Sequence, residues 1–170
     1  MANKVYINPE TAFTWDNAGT GAVNLMDLGG LAAAGLAMGT YQDLGVAPRS
    51  EFYQFEMLID GFDTAPVVGE VITLYFSQSN STTNFDGNPT TDPTSSAQGT
   101  ITLAQAKNCL LAGVATVYST TAADELKITG LVRIQSRYVA PVVYNGTADA
   151  LLSTADAHLV TLTPVPQEIQ

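Results

Sequence analysis

Polar and apolar positions alternate with period two along much of the chain, most plainly over residues 51–60, where Tyr53, Phe55, Met57 and Ile59 fall on one side and Gln54 and Glu56 on the other. Successive strand side chains point to opposite faces, so this pattern predicts a strand with one face buried. Residues 126–134 repeat it, with Leu126, Ile128, Val132 and Ile134 set against Lys127, Thr129 and Arg133. The run at 70–76 is different: it is continuously β-branched and aromatic, and predicts a strand covered on both faces or one that presents a face to an interface. Shorter strand candidates are 22–28, 39–46, 111–118, 138–144 and 158–163. Clusters of Gly, Pro, Asn, Asp and Ser separate them. About eight strands with turn signals between them predict an all-β domain, a sandwich or barrel rather than βαβ units. Pro141 removes a ladder donor from its run and places that strand at an edge or beside a bulge. Thr102 and Gln105 have capping-box spacing, which predicts a short helix over 103–108.

Three segments lack alternation. Residues 77–99 read SQSNSTTNFDGNPTTDPTSSAQG, with no basic residue and Phe85 as the only aromatic, and predict a protruding loop. Residues 1–20, which hold Tyr6, Phe13 and Trp15, predict an extended arm, frayed or docked on a neighbour, ahead of a single domain over 21–170. The two prolines of the tail, Pro164 and Pro166, predict an extended end.

A chain of 170 residues with 46% hydrophobic content suffices for one well-filled core. Six Lys+Arg against 16 Asp+Glu give a net charge of -10, which speaks against nucleic acid and anionic membrane surfaces as partners, because both are bound through cations. Charged residues make up only 13%, where about 25% is usual, and Ser, Thr, Ala and Asn fill the gap. The surface is therefore polar but weakly charged. The most apolar stretch, 25–38, is shorter than the ~20 residues a bilayer crossing needs. The first residues contain no apolar core of a signal peptide, so no secretory leader is expected. Cys109 stands alone, which rules out a disulfide within the chain and predicts a small buried hydrophobe.

Catalytic patterns are not found. His158 is the only histidine, no Gly-x-Ser-x-Gly elbow is present, and one His with one Cys all but excludes a zinc site built from His and Cys. Asn84-x-Asp86-x-Asn88 followed by Asp92 faintly resembles a calcium loop, but Pro89 stands where glycine is needed and the closing Glu is missing. Phosphate-binding glycine motifs are lacking too. The expectation is a protein that is not an enzyme, with no metal and no cofactor. The Asn80 and Asn145 sequons are read as accidents of a Ser/Thr-rich composition. Arg133 and Arg137 are read as neutralising local acids or making ion pairs between subunits.

Two blocks carry a family resemblance. FEMLIDGFDTAPVVGEVITLYF over 55–76, and RYVAPVVYNGTADAL over 137–151 with LVTLTPVPQEIQ over 159–170, resemble a family of small tailed-bacteriophage virion proteins. The resemblance implies a virion structural protein, a capsid decoration or cement protein with a jelly-roll-like antiparallel sandwich. It also implies the major capsid protein as partner, a homotrimer, and a place on the outer capsid surface. No catalytic residue carries over. Aromatic anchors dominate interface energetics, so Tyr6, Phe13 and Trp15 of the arm, with Arg133 and Arg137, are the candidate capsid or subunit contacts. The alternative is a receptor- or carbohydrate-binding sandwich of a head or tail fibre. That reading needs exposed aromatics clustered on one face, drawn from Tyr41, Tyr53, Tyr75, Tyr118, Tyr138 and Tyr144.

Overall fold

The alternation at 51–60 folds as strand β6 (Phe52–Ile59), whose Tyr53, Phe55, Met57 and Ile59 are all buried while Gln54 is exposed. Its partner β10 (Leu126–Arg133) runs antiparallel in a continuous register from Leu126 opposite Ile59 to Arg133 opposite Phe52. This is a computed structural model, and it describes residues 5–6, 11–16, 24–46, 49–87, 97–99, 101–154, 158–165 and 168–169. The remaining strands are β1 (Val5–Tyr6), β2 (Phe13–Asp16), β3 (Asn24–Leu25), β4 (Leu36–Met38), β5 (Gln42–Asp43), β7 (Val71–Ser79) and β8 (Ala97–Gln98). After them come β9 (Leu110–Thr116), β11 (Tyr138–Gly146), β12 (Leu159–Pro164) and β13 (Glu168–Ile169).

The pairing has a simple logic. Take the main strands in chain order as β2, β4, β6, β7, β9, β10, β11 and β12. The first pairs with the last, the second with the seventh, the third with the sixth and the fourth with the fifth. That is one long hairpin, and rolling it up lets β12 pair with β6 and β11 with β7. Two facing sheets result, in the orders β10-β6-β12-β2-β3 and β8-β4-β11-β7-β9, with β5 also on β11. This is the jelly-roll connectivity. The two-residue β3 lies parallel to β2, β8 extends β4 on the same side, and β1 pairs separately with β13. On the opposite side the outer strands are β9 and β10, which follow one another in the chain.

The main core fills the space between the sheets, where Phe55 meets Phe76 edge to face at 6.4 Å between ring centroids. A second cluster lies on the outer face of the β4–β11–β7–β9 sheet. Alternate residues of β11 divide between the two: Val139 and Val143 enter the main core, while Tyr138, Ala140 and Val142 join the outer cluster. The cover for this face comes from the connection between β7 and β9, through Phe85, Ile101, Ala106 and Cys109. It explains why the apolar runs of β7 and β11 do not alternate.

The structure differs from the sequence expectation in two places. Phe13–Asp16 is not free arm but strand β2, inserted between β12 and β3, so the sandwich begins before residue 21. Its tetrapeptide, Phe-Thr-Trp-Asp, is too short for alternation to mark it. The 77–99 segment does not protrude from residue 77, because β7 continues to Ser79 and the chain then folds back. The Asp86 amide donates to the Gln78 carbonyl at 3.0 Å, the Ser77 hydroxyl donates to the Asp86 carbonyl, and Phe85 is 1% exposed. One aromatic in a polar run is thus an anchor; residues 88–96 lie outside the described residues. Of the two placements expected for Pro141, an edge or a bulge, the structure has the second, in a central strand. Met38 faces Val142 and Gln42 faces Val139, so three residues, 39–41, oppose two, 140–141, and the proline lies beside that bulge. Gly39 donates to the Pro141 carbonyl at 2.9 Å, and a Cβ on Gly39 would come within 2.9 Å of the proline ring. The predicted helix is the four-residue α1 (Leu103–Ala106), with Thr102 and Gln105 making the reciprocal capping box.

Candidate functional site

Trp15, the strongest of the aromatic anchor candidates, is 0% exposed and belongs to the main core. Its indole N–H donates to the Thr40 carbonyl at 2.7 Å, and Gly39 leaves the space its ring fills. Nothing of this side chain is available to a partner. Phe13, two residues earlier on the same strand, is half-buried against the same core. Tyr6 pairs through its backbone with Glu168, and its side chain lies outside the described residues. The aromatic residues proposed as one arm therefore do not form one surface.

Both candidate arginines are engaged within their own chain. Arg137 grips Asp43 through two bonds, Nε to Oδ1 at 2.8 Å and Nη2 to Oδ2 at 2.6 Å, and its guanidinium lies 4.9 Å from the Tyr138 ring centroid. Hydrogen bonding from Arg137 holds the Asp43 carboxyl below the ordinary carboxylate range. Arg133 reaches Glu51 Oε2 through Nε at 3.0 Å and Nη2 at 2.6 Å. Of the two roles read for these residues, the geometry provides local neutralisation. Arg49 joins them at this end, donating to the carbonyls of Ser50, Ile134, Gln135 and Ser136 and so clasping the β10–β11 turn.

The side chains with possible chemistry are used structurally. His158 is buried; its Nδ1 accepts from the Asp60 amide at 3.1 Å and its Nε2 lies 2.8 Å from the Leu152 carbonyl. Accepting at Nδ1 leaves the proton on Nε2, so the ring is neutral with both nitrogens occupied, and burial pushes its pKa below the ordinary value. Burial likewise pushes the Cys109 thiol up to about 11, which removes thiolate reactivity at neutral pH. In the calcium-like stretch the Asp86 carbonyl receives the Cys109 thiol at 3.2 Å, while Asn88 and Asp92 lie outside the described residues. Asn145 is fully buried and its amide donates to the carbonyls of Leu31, Ala32 and Asp149, so its sequon is closed to a glycan.

The six tyrosines considered for a binding platform do not share one face. Tyr53 is in the main core, and Tyr41 packs on Phe85 and edge-on to Tyr138 at 5.5 Å. Tyr75 and Tyr144 lie against the same outer cluster. Among the described tyrosine side chains only Tyr118 is largely exposed, at 64%.

Tyr118 belongs to the surface that sequence reasoning missed. The loops β6–β7 (60–70), β9–β10 (117–125) and the described part of β11–β12 (147–154) meet at one end of the sandwich. The Gly69 amide donates to the Val117 carbonyl and the Val117 amide to the Glu70 carbonyl, each at 2.9 Å. The Phe62 amide donates to the Ala122 carbonyl at 2.8 Å, and Glu70 Oε2 accepts the Ala148 amide at 3.0 Å. Asp63 Oδ1 accepts the Ser153 amide at 3.0 Å, and the Thr64 hydroxyl donates to the Asp149 carboxylate. Residues 60–70, 117–125 and 147–154 contain Asp60, Asp63, Glu70, Asp124, Glu125 and Asp149 and no Lys or Arg. Their common charge could have been read from the sequence, but not their convergence.

What these observations define is a class: an eight-stranded jelly roll with a second apolar layer on one sheet. No protein-family model, curated protein or solved structure matches the chain.

Proposed function

We propose that the chain is a bacteriophage virion structural protein, a capsid decoration or cement protein that binds the major capsid protein at the outer surface of the shell and braces it. The single observation behind this reading is where the resembling blocks lie. Residues 55–76 run through β6, its turn and β7, and 137–151 with 159–170 run through β11 and β12. These four strands are the middle of both sheets, so the likeness to the virion proteins lies in the scaffold itself. The jelly roll is also an architecture recurrent in viral capsid domains, although a fold alone assigns no role. A brace needs rigidity and contact area rather than reactive groups. The buried neutral His158, the buried thiol and the internally paired arginines suit that task.

The test is direct. Purified protein is mixed with heads of the encoding phage prepared without this gene product, and binding and head survival on heating are measured. Saturable binding with later head rupture is expected; heads that neither bind the protein nor gain heat resistance would sink the reading.

A further inference from the structure

We infer that the acidic loop end of the sandwich is a docking face for a protein surface that carries Lys and Arg around an apolar centre. Val67, Val68 and Tyr118 are 54%, 55% and 64% exposed, among the most open large apolar side chains described. The paired amides and carbonyls of residues 69–70 and 117 hold the valine turn beside the tyrosine. A hydrogen bond from the Tyr118 hydroxyl to the Glu125 carbonyl at 3.1 Å fixes the ring. Beside that ring runs a crevice lined by Phe62, Val117 and Leu126, too tight for a small-molecule ligand. The feature therefore fits a protein contact rather than a pocket. Turns favour Gly, Pro, Asn, Asp and Ser, so two adjacent valines at such a tip are not required by the turn.

The rim decides the occupant. Asp124 lines the crevice beside Tyr118, the Glu125 carbonyl holds the Tyr118 hydroxyl, Asp63 and Glu70 flank the valine turn along the chain, and the three loops supply no Lys or Arg. Like charge repels the same end of a second copy, as well as nucleic acid and anionic lipid. The opposite end of a second copy is a poor match as well, because Arg133 and Arg137 are already committed to Glu51 and Asp43. Apolar contact at the centre with opposite charges around it is the anatomy of a specific protein interface. Taking that partner to be the phage shell rests on the reading above, which this inference deepens by naming the face turned toward it.

The experiment compares wild type with two double variants on heads lacking the protein: Val67→Ser with Val68→Ser, and Asp124→Asn with Glu125→Gln. Glu51→Gln, at the other end, serves as control, and melting curves select folded samples. The valine variant is expected to bind about tenfold or more weakly, since losing a central contact of a hot spot costs this much, and the acid variant to associate more slowly, since rim charges act chiefly on the on-rate. The acid variant should also lose most of the salt dependence that wild type shows. Wild-type binding with both variants unaffected overturns the inference alone. A wild type that does not bind heads overturns the shell reading and the inference with it.

Discussion

Asn145 carries more of the structure than its place in a Ser/Thr-rich sequence predicts. Its amide nitrogen donates to three carbonyls, at 3.0, 3.2 and 2.8 Å, and its oxygen accepts from the Thr147 amide and hydroxyl. It thereby ties the end of β11 to the loop before β4. Asn145→Ala would leave several of these groups buried without a partner, each at roughly 1–3 kcal/mol, so urea titration should show a loss of about 2–4 kcal/mol. His158 makes a comparable tie between Asp60 and Leu152 but adds a pH dependence. Its folded pKa lies below its unfolded one because burial disfavours the imidazolium, so the unfolded chain binds the extra proton first. Stability is then full above the ordinary histidine value of about 6.5 and falls as pH drops through it toward the lower folded value. Melting temperatures of wild type should decline from pH 8 to pH 5 more steeply than those of His158→Gln; parallel curves would contradict this account.

Among the elements, the connection between β7 and β9 is the most consequential. It supplies Phe85, α1 and β8, and with them the layer that covers Leu36, Met38, Ala140 and Val142 on the outer sheet face. Cys109 lies within that layer at 8% exposure. A thiol reports on its cover, since only an exposed thiolate reacts quickly. Phe85→Ala removes the anchor, and the expected outcome is Cys109 labelling by a disulfide reagent at least about tenfold faster than in wild type, with the sandwich's far-ultraviolet signature retained. Unchanged labelling would mean that the layer does not depend on Phe85. Glycines settle the opposite edges in a different way. A Cβ on Gly130 would lie 2.6 Å from the Phe55 ring, and one on Gly113 3.2 Å from it, so β9 and β10 both make room for this aromatic.

For the molecule as a whole, the charge is distributed by ends. Six of the sixteen acids lie at the loop end, whose loops hold no Lys or Arg, while Arg49, Arg133 and Arg137 gather at the other and are used there. Like charge disfavours contact between two acidic ends, which leaves the sides for the self-association of the decoration reading. The open side bears β9, an uncharged strand with Leu111 and Val114 exposed at 55% and 46%. For the proposed homotrimer, light scattering during size exclusion should give three times the 17.9 kDa chain mass, and a single chain mass at all concentrations would remove the trimer from the proposal.

Much of the architecture was legible in the chain itself. Period-two alternation marked β6 and β10 nearly to the residue, the capping box marked α1, and the proline with its lost donor marked the bulge beside β11. These signals are local: they follow from which face of a strand is wet, or from which amide lacks a partner. Tertiary structure alone decided that Trp15 is core rather than anchor, because burial depends on which strand comes to lie across it. It alone gave Arg133 and Arg137 their partners, Glu51 and Asp43, which are distant in sequence and adjacent only once β10 pairs with β6 and β11 with β5. The acidic end has the same origin. Its carboxylates are scattered through three loops, and pairing β6 with β10 and β12, and β7 with β11, brings those loops together. Composition set the sign of the charge, and topology set where it is concentrated.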